Sequence, residues 1–234
     1  PENAISMDLQ NKVDRKKCSL CMKCTEICPN RAFLKVGQEL TVEEVIAEVE
    51  KDLPFYGEEG GVTLSGGEPF YQPEFTLNIL RGCKERGITT VLDTTAYTEK
   101  ENIEEALGYT DLFLLDIKHM DPQKHKEGTG VSNETILENA KLIAQKGKVR
   151  ISLPLIPDYN DDPDNLVRTA EFVKELGIEW IDINPLHRLG ASKYEYLGMK
   201  SPYSSFRDLS KEEIRQVRSL LESFGLKTTV GRMM

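Results

Sequence analysis

Between Gly61 and Val230 the chain repeats one pattern, a short apolar run followed by an amphipathic stretch. The apolar runs are GVTLS (61–65), ITTVLDT (88–94), DLFLLDIK (111–118), VRISLPLI (149–156), IEWIDIN (178–184) and LKTTV (226–230). Each is short and rich in β-branched or large apolar residues, and reads as a strand. The stretches 73–86, 99–107, 132–147, 163–176 and 210–224 read as helices. In KEEIRQVRSLLESFG, Ile214, Val217, Leu220, Leu221 and Phe224 form one stripe and Gly225 is the stop. TVEEVIAEVEKD adds an earlier helix, with Val42, Val45, Ile46 and Val49 on one face and Thr41 with Glu44 as a capping box. Strands alternating with helices imply right-handed crossovers and a parallel sheet. An open doubly wound sheet and a barrel, complete or partial, both satisfy the pattern.

The 234 residues suffice for one sizeable domain with a small appendage. A formal charge of −9 argues against a general nucleic-acid surface, which needs clustered Lys and Arg. A partner protein with a basic face is compatible with it. No apolar run reaches the roughly 18 residues of a membrane span. The opening PENAISMDLQNKVDRKKC has neither the apolar core nor the cleavage site of a signal peptide, so the expected location is the cytoplasm.

In parallel α/β architectures, functional residues collect where strands end and loops begin. Those positions here hold Ser65-Gly66-Gly67-Glu68-Pro69, Asp93-Thr94-Thr95, Asp116, Lys118-His119, and Asn184 followed by Pro185-Leu186-His187-Arg188. Two glycines, three carboxylates, a lysine and two histidines on one rim suit a small polar ligand. Taken singly each has a plainer reading. The two glycines can be a turn, Asp93 with Thr94 a helix cap, and Asp116 with Lys118 a surface pair of negligible worth. His119 is expected to be a solvated loop residue, and Cys83, inside a helix, a packed thiol.

The segment CSLCMKCTEICPNRAF is more specific. Cys18, Cys21, Cys24 and Cys28 have the spacing C-x2-C-x2-C-x3-C-P, which wraps a [4Fe–4S] cluster. Zinc is the competing reading, although four-Cys zinc sites usually pair two C-x2-C units across a long gap. The fourth cysteine of such a run can ligate a different cluster, so whether Cys28 closes the cluster begun by the first three stays open.

In order, GGVTLSGGEPFYQPEF, VLDTTAY, LFLLDIKHMD, LPLIPDYND and INPLHRLGASKYEYLG resemble the activating enzymes of glycyl radical enzymes, a branch of the radical S-adenosylmethionine (SAM) enzymes. The likeness runs from the first residues to the C-terminus. It implies a partial (β/α)6 TIM-like barrel over residues 39–234, its first strand missing, with a small ferredoxin-like iron–sulfur insert over residues 1–38. It also implies an oxidoreductase in which a [4Fe–4S] cluster reductively cleaves SAM. The resulting 5′-deoxyadenosyl radical takes hydrogen from a backbone glycine of a partner enzyme. Carried over position by position, Gly66 and Gly67 would lie against the amino-acid end of SAM, with Glu68 near its amine. Asp93, Thr94 and Asp116 match a monovalent-cation site beside the SAM carboxylate, helped by a carbonyl near Leu114. Ile117, Lys118 and His187 match further SAM contacts. The implied partners are a glycyl radical enzyme and a flavodoxin or ferredoxin-type electron donor.

Three departures qualify the resemblance. The superfamily's C-x3-C-x2-C triad does not occur in these residues, and the opening Pro-Glu-Asn resembles the Asn-Pro-Glu that commonly follows it, so the triad is expected upstream of Pro1. These residues alone are then expected not to cleave SAM. The cluster run occurs once, whereas many members with an insert carry two. Ser152 stands where several members have an arginine. An iron–sulfur electron-transfer or scaffold protein without SAM cleavage, and a zinc-stabilised enzyme of other chemistry, are the rival readings. Formate-lyase, diol dehydratase, choline lyase and decarboxylase partners are all compatible.

Overall fold

The computed structural model describes residues 2–8, 12–58 and 60–231. All six apolar runs form strands: β1 (Gly61–Leu64), β2 (Thr89–Thr94), β3 (Leu112–Asp116), β4 (Val149–Leu155), β5 (Trp180–Pro185) and β6 (Lys227–Val230). They make one sheet in the order β1-β2-β3-β4-β5-β6, every neighbouring pair parallel. A doubly wound sheet reverses its strand order partway across. This order never reverses, so the sheet is barrel-like, and since β1 and β6 do not pair it stays open.

The helices are α1 (Lys23–Ile27), α2 (Val42–Glu50), α3 (Leu53–Tyr56), α4 (Pro73–Glu85), α5 (Lys100–Ala106), α6 (Pro122–Thr129), α7 (Glu134–Lys146), α8 (Pro163–Glu175), α9 (Ala191–Tyr196) and α10 (Lys211–Ser223). Strand residues alternate between two faces. Leu92, Phe113, Leu115, Ile151, Leu153, Leu155, Ile181 and Ile183 are fully buried in one core with apolar residues of α4, α5, α7, α8 and α10. Burying each such side chain stabilises the fold by about 1.5–3 kcal/mol. The alternate positions, among them Asp93, Leu114, Ser152, Asp182 and Asn184, line the concave face.

The helix α2 starts as its sequence implies. Thr41 Oγ1 accepts from Glu44 N at 3.2 Å, and Glu44 Oε2 accepts from Thr41 N at 2.8 Å. The helix α6 was not legible in the sequence. Its apolar pattern is poor and it contains Gly128, but Asp121 caps it and Pro122 opens it. A Cβ at Gly128 would lie 2.4 Å from the Tyr159 hydroxyl, so close packing explains the glycine.

A second capping box starts α10. Ser210 Oγ accepts from Glu213 N at 3.2 Å, and Glu213 Oε2 accepts from Ser210 N at 2.8 Å. The Ser210 hydroxyl and amide, with the Arg207 guanidinium, hold the Glu213 carboxyl down at about 2. A depressed carboxylate favours folding above its unfolded value, and that contribution is lost as pH falls through the folded value. Between pH 4.5 and about 2 the melting temperature of Glu213→Gln is therefore expected to fall less steeply than that of the native protein. Parallel melting curves across that window would refute this.

Residues 41–186 and 206–234, which hold the sheet, form one compact unit, and residues 1–40 with 187–205 form another. The second unit contains an antiparallel bridge between Ile5 and Val13, the cysteine segment with α1, and α9. No helix among the described residues is long and apolar enough to cross a membrane.

Candidate active site at the open end of the sheet

The C-terminal ends of the strands carry the rim residues, and hydrogen bonds tie neighbouring loops together. After β1 the chain turns through Gly66 at φ 138°, a conformation that suits glycine. A Cβ built on Gly66 or Gly67 would meet nothing within 4 Å, so both present open backbone. A cleft of about 590 Å³ runs beside this loop, lined in part by Val62, Leu64, Gly67, Tyr71 and Phe75. Ser65 Oγ donates to Asp93 Oδ2 at 2.7 Å, linking the loop to the end of β2. Glu68 accepts from Phe70 N at 3.1 Å and Thr94 Oγ1 at 2.5 Å on one oxygen. Its other oxygen accepts from Thr95 N at 2.8 Å and Thr95 Oγ1 at 2.6 Å. Thr94 is buried and its hydroxyl also accepts from Ala96 N at 2.9 Å.

At the end of β3, Lys118 Nζ donates to Asp116 Oδ2 at 2.5 Å. The pair is half-buried rather than a free surface pair. Ile117 is buried in the core and its amide donates to Ser152 O at 3.0 Å. The Lys118 carbonyl accepts from Asn160 Nδ2 at 2.8 Å. Asn160, fully buried, also donates to Pro154 O at 2.6 Å and accepts from Ile156 N at 2.7 Å. It thus fixes the loops after β3 and β4 to each other. Sequence reasoning missed Asn160, although its place in the loop YNDDP, just before the Asp162 cap and Pro163 that open α8, was the available signal.

His119 is not the solvated loop residue its polar neighbours suggest; it is 2% exposed. Its Nδ1 accepts from Asp121 N at 2.9 Å, its ring lies 5.4 Å from that of Tyr159, and its Nε2 is buried without a hydrogen-bond partner. Burial holds its pKa below the ordinary histidine value. Cys83 is fully buried beside Ile46, Ile79 and Ile88, and burial pushes its thiol up.

The concave face encloses a cavity of about 420 Å³ lined by Asp93, Leu114, Ser152, Asp182, Asn184 and Thr229, among others. Asp182 is held by Arg150, whose Nε lies 2.9 Å from Oδ2, and by Thr229. Asn184 Nδ2 donates to Ser152 Oγ at 3.1 Å. Closed parallel barrels fill this space with branched apolar side chains. A polar, partly empty interior is built to receive something.

Cys18, Cys24 and Cys28 are half-buried and Cys21 is exposed. Met22 adopts φ 59° just before α1, and Cys28 closes that helix, its Sγ accepting from Ala32 N at 3.3 Å. A backbone hydrogen bond from Lys23 lowers the Cys21 thiol. Four soft sulfur donors with nearby amide N–H groups fit an iron–sulfur cluster by chemistry. Among the described residues no three metal-binding side chains are gathered into one group. His187 is exposed and belongs to the unit that holds the cysteines.

Comparison with known proteins gives this site its class. The Radical SAM superfamily profile matches residues 17–183. The choline trimethylamine-lyase activating enzyme of Oleidesulfovibrio alaskensis is 37% identical over 210 residues, covering 87% of this chain and 68% of that protein. The trans-4-hydroxy-L-proline dehydratase activating enzyme of Clostridioides difficile is 38% identical over 252 residues, covering 93% and 83%. Among solved structures, a domain of the pyruvate-formate lyase-activating enzyme from Bacteroides vulgatus is 34% identical with a TM-score of 0.62, covering 74% of this chain and 99% of that one. The chain belongs to the radical SAM superfamily and, within it, to the activating enzymes of glycyl radical enzymes. Membership implies a [4Fe–4S] cluster and SAM as cofactors.

Proposed function

We propose that this protein installs a radical on a backbone glycine of a partner enzyme, with SAM as the consumed co-substrate. The observation that carries the reading is the 38% identity, along 93% of the chain, to an enzyme of that activating class. When bound to a reduced cluster, SAM supplies the chemistry: one electron cleaves it to methionine and a fragment that takes the glycine hydrogen and leaves as 5′-deoxyadenosine. A flavodoxin or ferredoxin-type protein of the cytoplasm provides that electron.

The chain's own residues anchor and exclude. Gly66 and Gly67 offer open backbone to the amino-acid end of SAM, where a side chain would stand in the ligand's place. Asp93 and Asp116, with the backbone at Thr94 and Leu114, suit a monovalent cation that would neutralise the SAM carboxylate. Lys118, braced by Asp116, and the peptide at Ile117 extend that seat. The polar concave face admits the glycine-bearing segment of the partner. Cys18, Cys21, Cys24 and Cys28 hold an accessory cluster in a ferredoxin-like segment over residues 1–38, ahead of the SAM-binding barrel of residues 39–234.

The direct test incubates the complete, cluster-loaded gene product anaerobically with SAM and dithionite. Formation of 5′-deoxyadenosine is expected, and its absence would overturn the reading. A second measurement addresses the cysteine run. Cys24→Ser is expected to lower iron and sulfide by about four each per chain, one cluster's worth. Unchanged iron with a loss of zinc would convert the run to a zinc site.

A further inference from the structure

We propose that Glu68 is a positioning residue rather than a ligand: its carboxylate locks the glycine loop after β1 to the end of β2. On this reading the seat for the amino-acid end of SAM is one rigid body made from two loops. The inference rests on the SAM reading above and deepens it.

The geometry of the carboxylate carries the argument. A carboxylate offers about four acceptor sites. At Glu68 four donors occupy them, two on each oxygen: Phe70 N and Thr94 Oγ1, then Thr95 N and Thr95 Oγ1. Three of the four donors come from the end of β2, across 26 or 27 residues of sequence. Turning this carboxylate toward a ligand ammonium would break some of these bonds. Hydrogen bonds to charged groups contribute about 1.5–3 kcal/mol each. A ligand ammonium offers one charge-assisted bond of the same kind, against the several it would displace. The clamp wins on magnitude, and the open backbone of Gly66 and Gly67 is left to meet the amine.

Neighbouring contacts have the same effect. Ser65 Oγ donates to Asp93 Oδ2 at 2.7 Å, a second link between the two loops one strand-end away. The β2 side is itself braced, since Ala96 N donates to Thr94 Oγ1 and Asn139 Nδ2 donates to Ala96 O at 2.9 Å. Thr95, which has no place in the ligand seat on this reading, becomes a residue whose loss is felt there.

The experiment compares Glu68→Gln, Thr95→Val, Thr95→Ser and the double variant Glu68→Gln/Thr95→Val in the cluster-loaded full-length protein. SAM affinity is measured by equilibrium dialysis, and amide hydrogen exchange at residues 66–68 is followed without SAM. Removing one hydrogen bond to the carboxylate is expected to weaken SAM binding about tenfold in Thr95→Val and to speed exchange in the loop. Thr95→Ser, which keeps the hydroxyl, is expected to restore both. The double variant is expected to bind SAM no worse than Glu68→Gln alone, because both changes open the same clamp. Native affinity and native exchange in a folded Thr95→Val protein would overturn the proposal, as would additive losses in the double variant. Should Thr95→Val fail to fold, Thr95→Ala takes its place under the same criteria. A native protein that binds no SAM at all would instead remove the functional reading, so the two failures are distinguishable.

Discussion

Gly66→Ala is expected to lower 5′-deoxyadenosine formation by roughly a hundredfold, since the loop shifts to relieve a backbone strain on the order of 1–3 kcal/mol and a methyl group stands in the ligand's space. The basis is the φ of 138° at Gly66, which side chains rarely adopt, together with the empty volume where its Cβ would stand. Gly67 presents the same empty volume without the positive φ, so Gly67→Ala isolates the effect of space and should cost less. Both glycines are exposed in the one loop after β1, and the melting temperature of either variant should move by only a few degrees. SAM dialysis with the cluster-loaded protein separates the outcomes. A folded Gly66→Ala protein that binds SAM with native affinity would show that this loop is not the amine seat.

The largest stability effect is expected at Phe113. It is the largest of the fully buried side chains and sits mid-strand on β3, between the sheet and the helices. Phe113→Ala removes apolar contact and leaves a cavity that close-packed neighbours cannot fill, at a cost of about 3–5 kcal/mol. For a chain of this size that corresponds to a fall in melting temperature of about 10 °C. Calorimetry of the unit containing the sheet reads this directly. A fall of only a degree or two would mean that the sheet–helix core is not packed as described.

The six strands were legible because their β-branched runs repeat with regular punctuation, and the capping box at Thr41 announced the start of α2, whereas the one at Ser210 emerged only from the structure. The apolar pattern alone left doubly wound and barrel sheets open, since strand order is a property of long-range pairing; the partial barrel that the family resemblance implied is the one found. The helix α6 escaped because PQKHKEGT is polar on nearly every face. The rim was legible as a set of strand-end positions, since the fold class predicts where such residues gather. What each side chain does there was not. Glu68 in isolation reads as a group facing the ligand, and its hydrogen bonds to Thr94 and Thr95, 26 and 27 residues away, are contacts that no local pattern shows. His119 was misread because burial of a loop residue depends on what covers it, here Tyr159 and Asn133 from distant segments.

The separation of β1 from β6 among the described strands carries a topological consequence. A closed cylinder admits a loop of another protein only end-on, as a doubled hairpin entering through one mouth. The described strands leave β1 and β6 apart, which makes the polar interior a trough. A trough can receive a loop sideways while both ends of that loop stay attached to a folded protein. For a reaction on one residue in the middle of another protein's chain, lateral entry lets an extended segment lie along the site without being doubled back on itself.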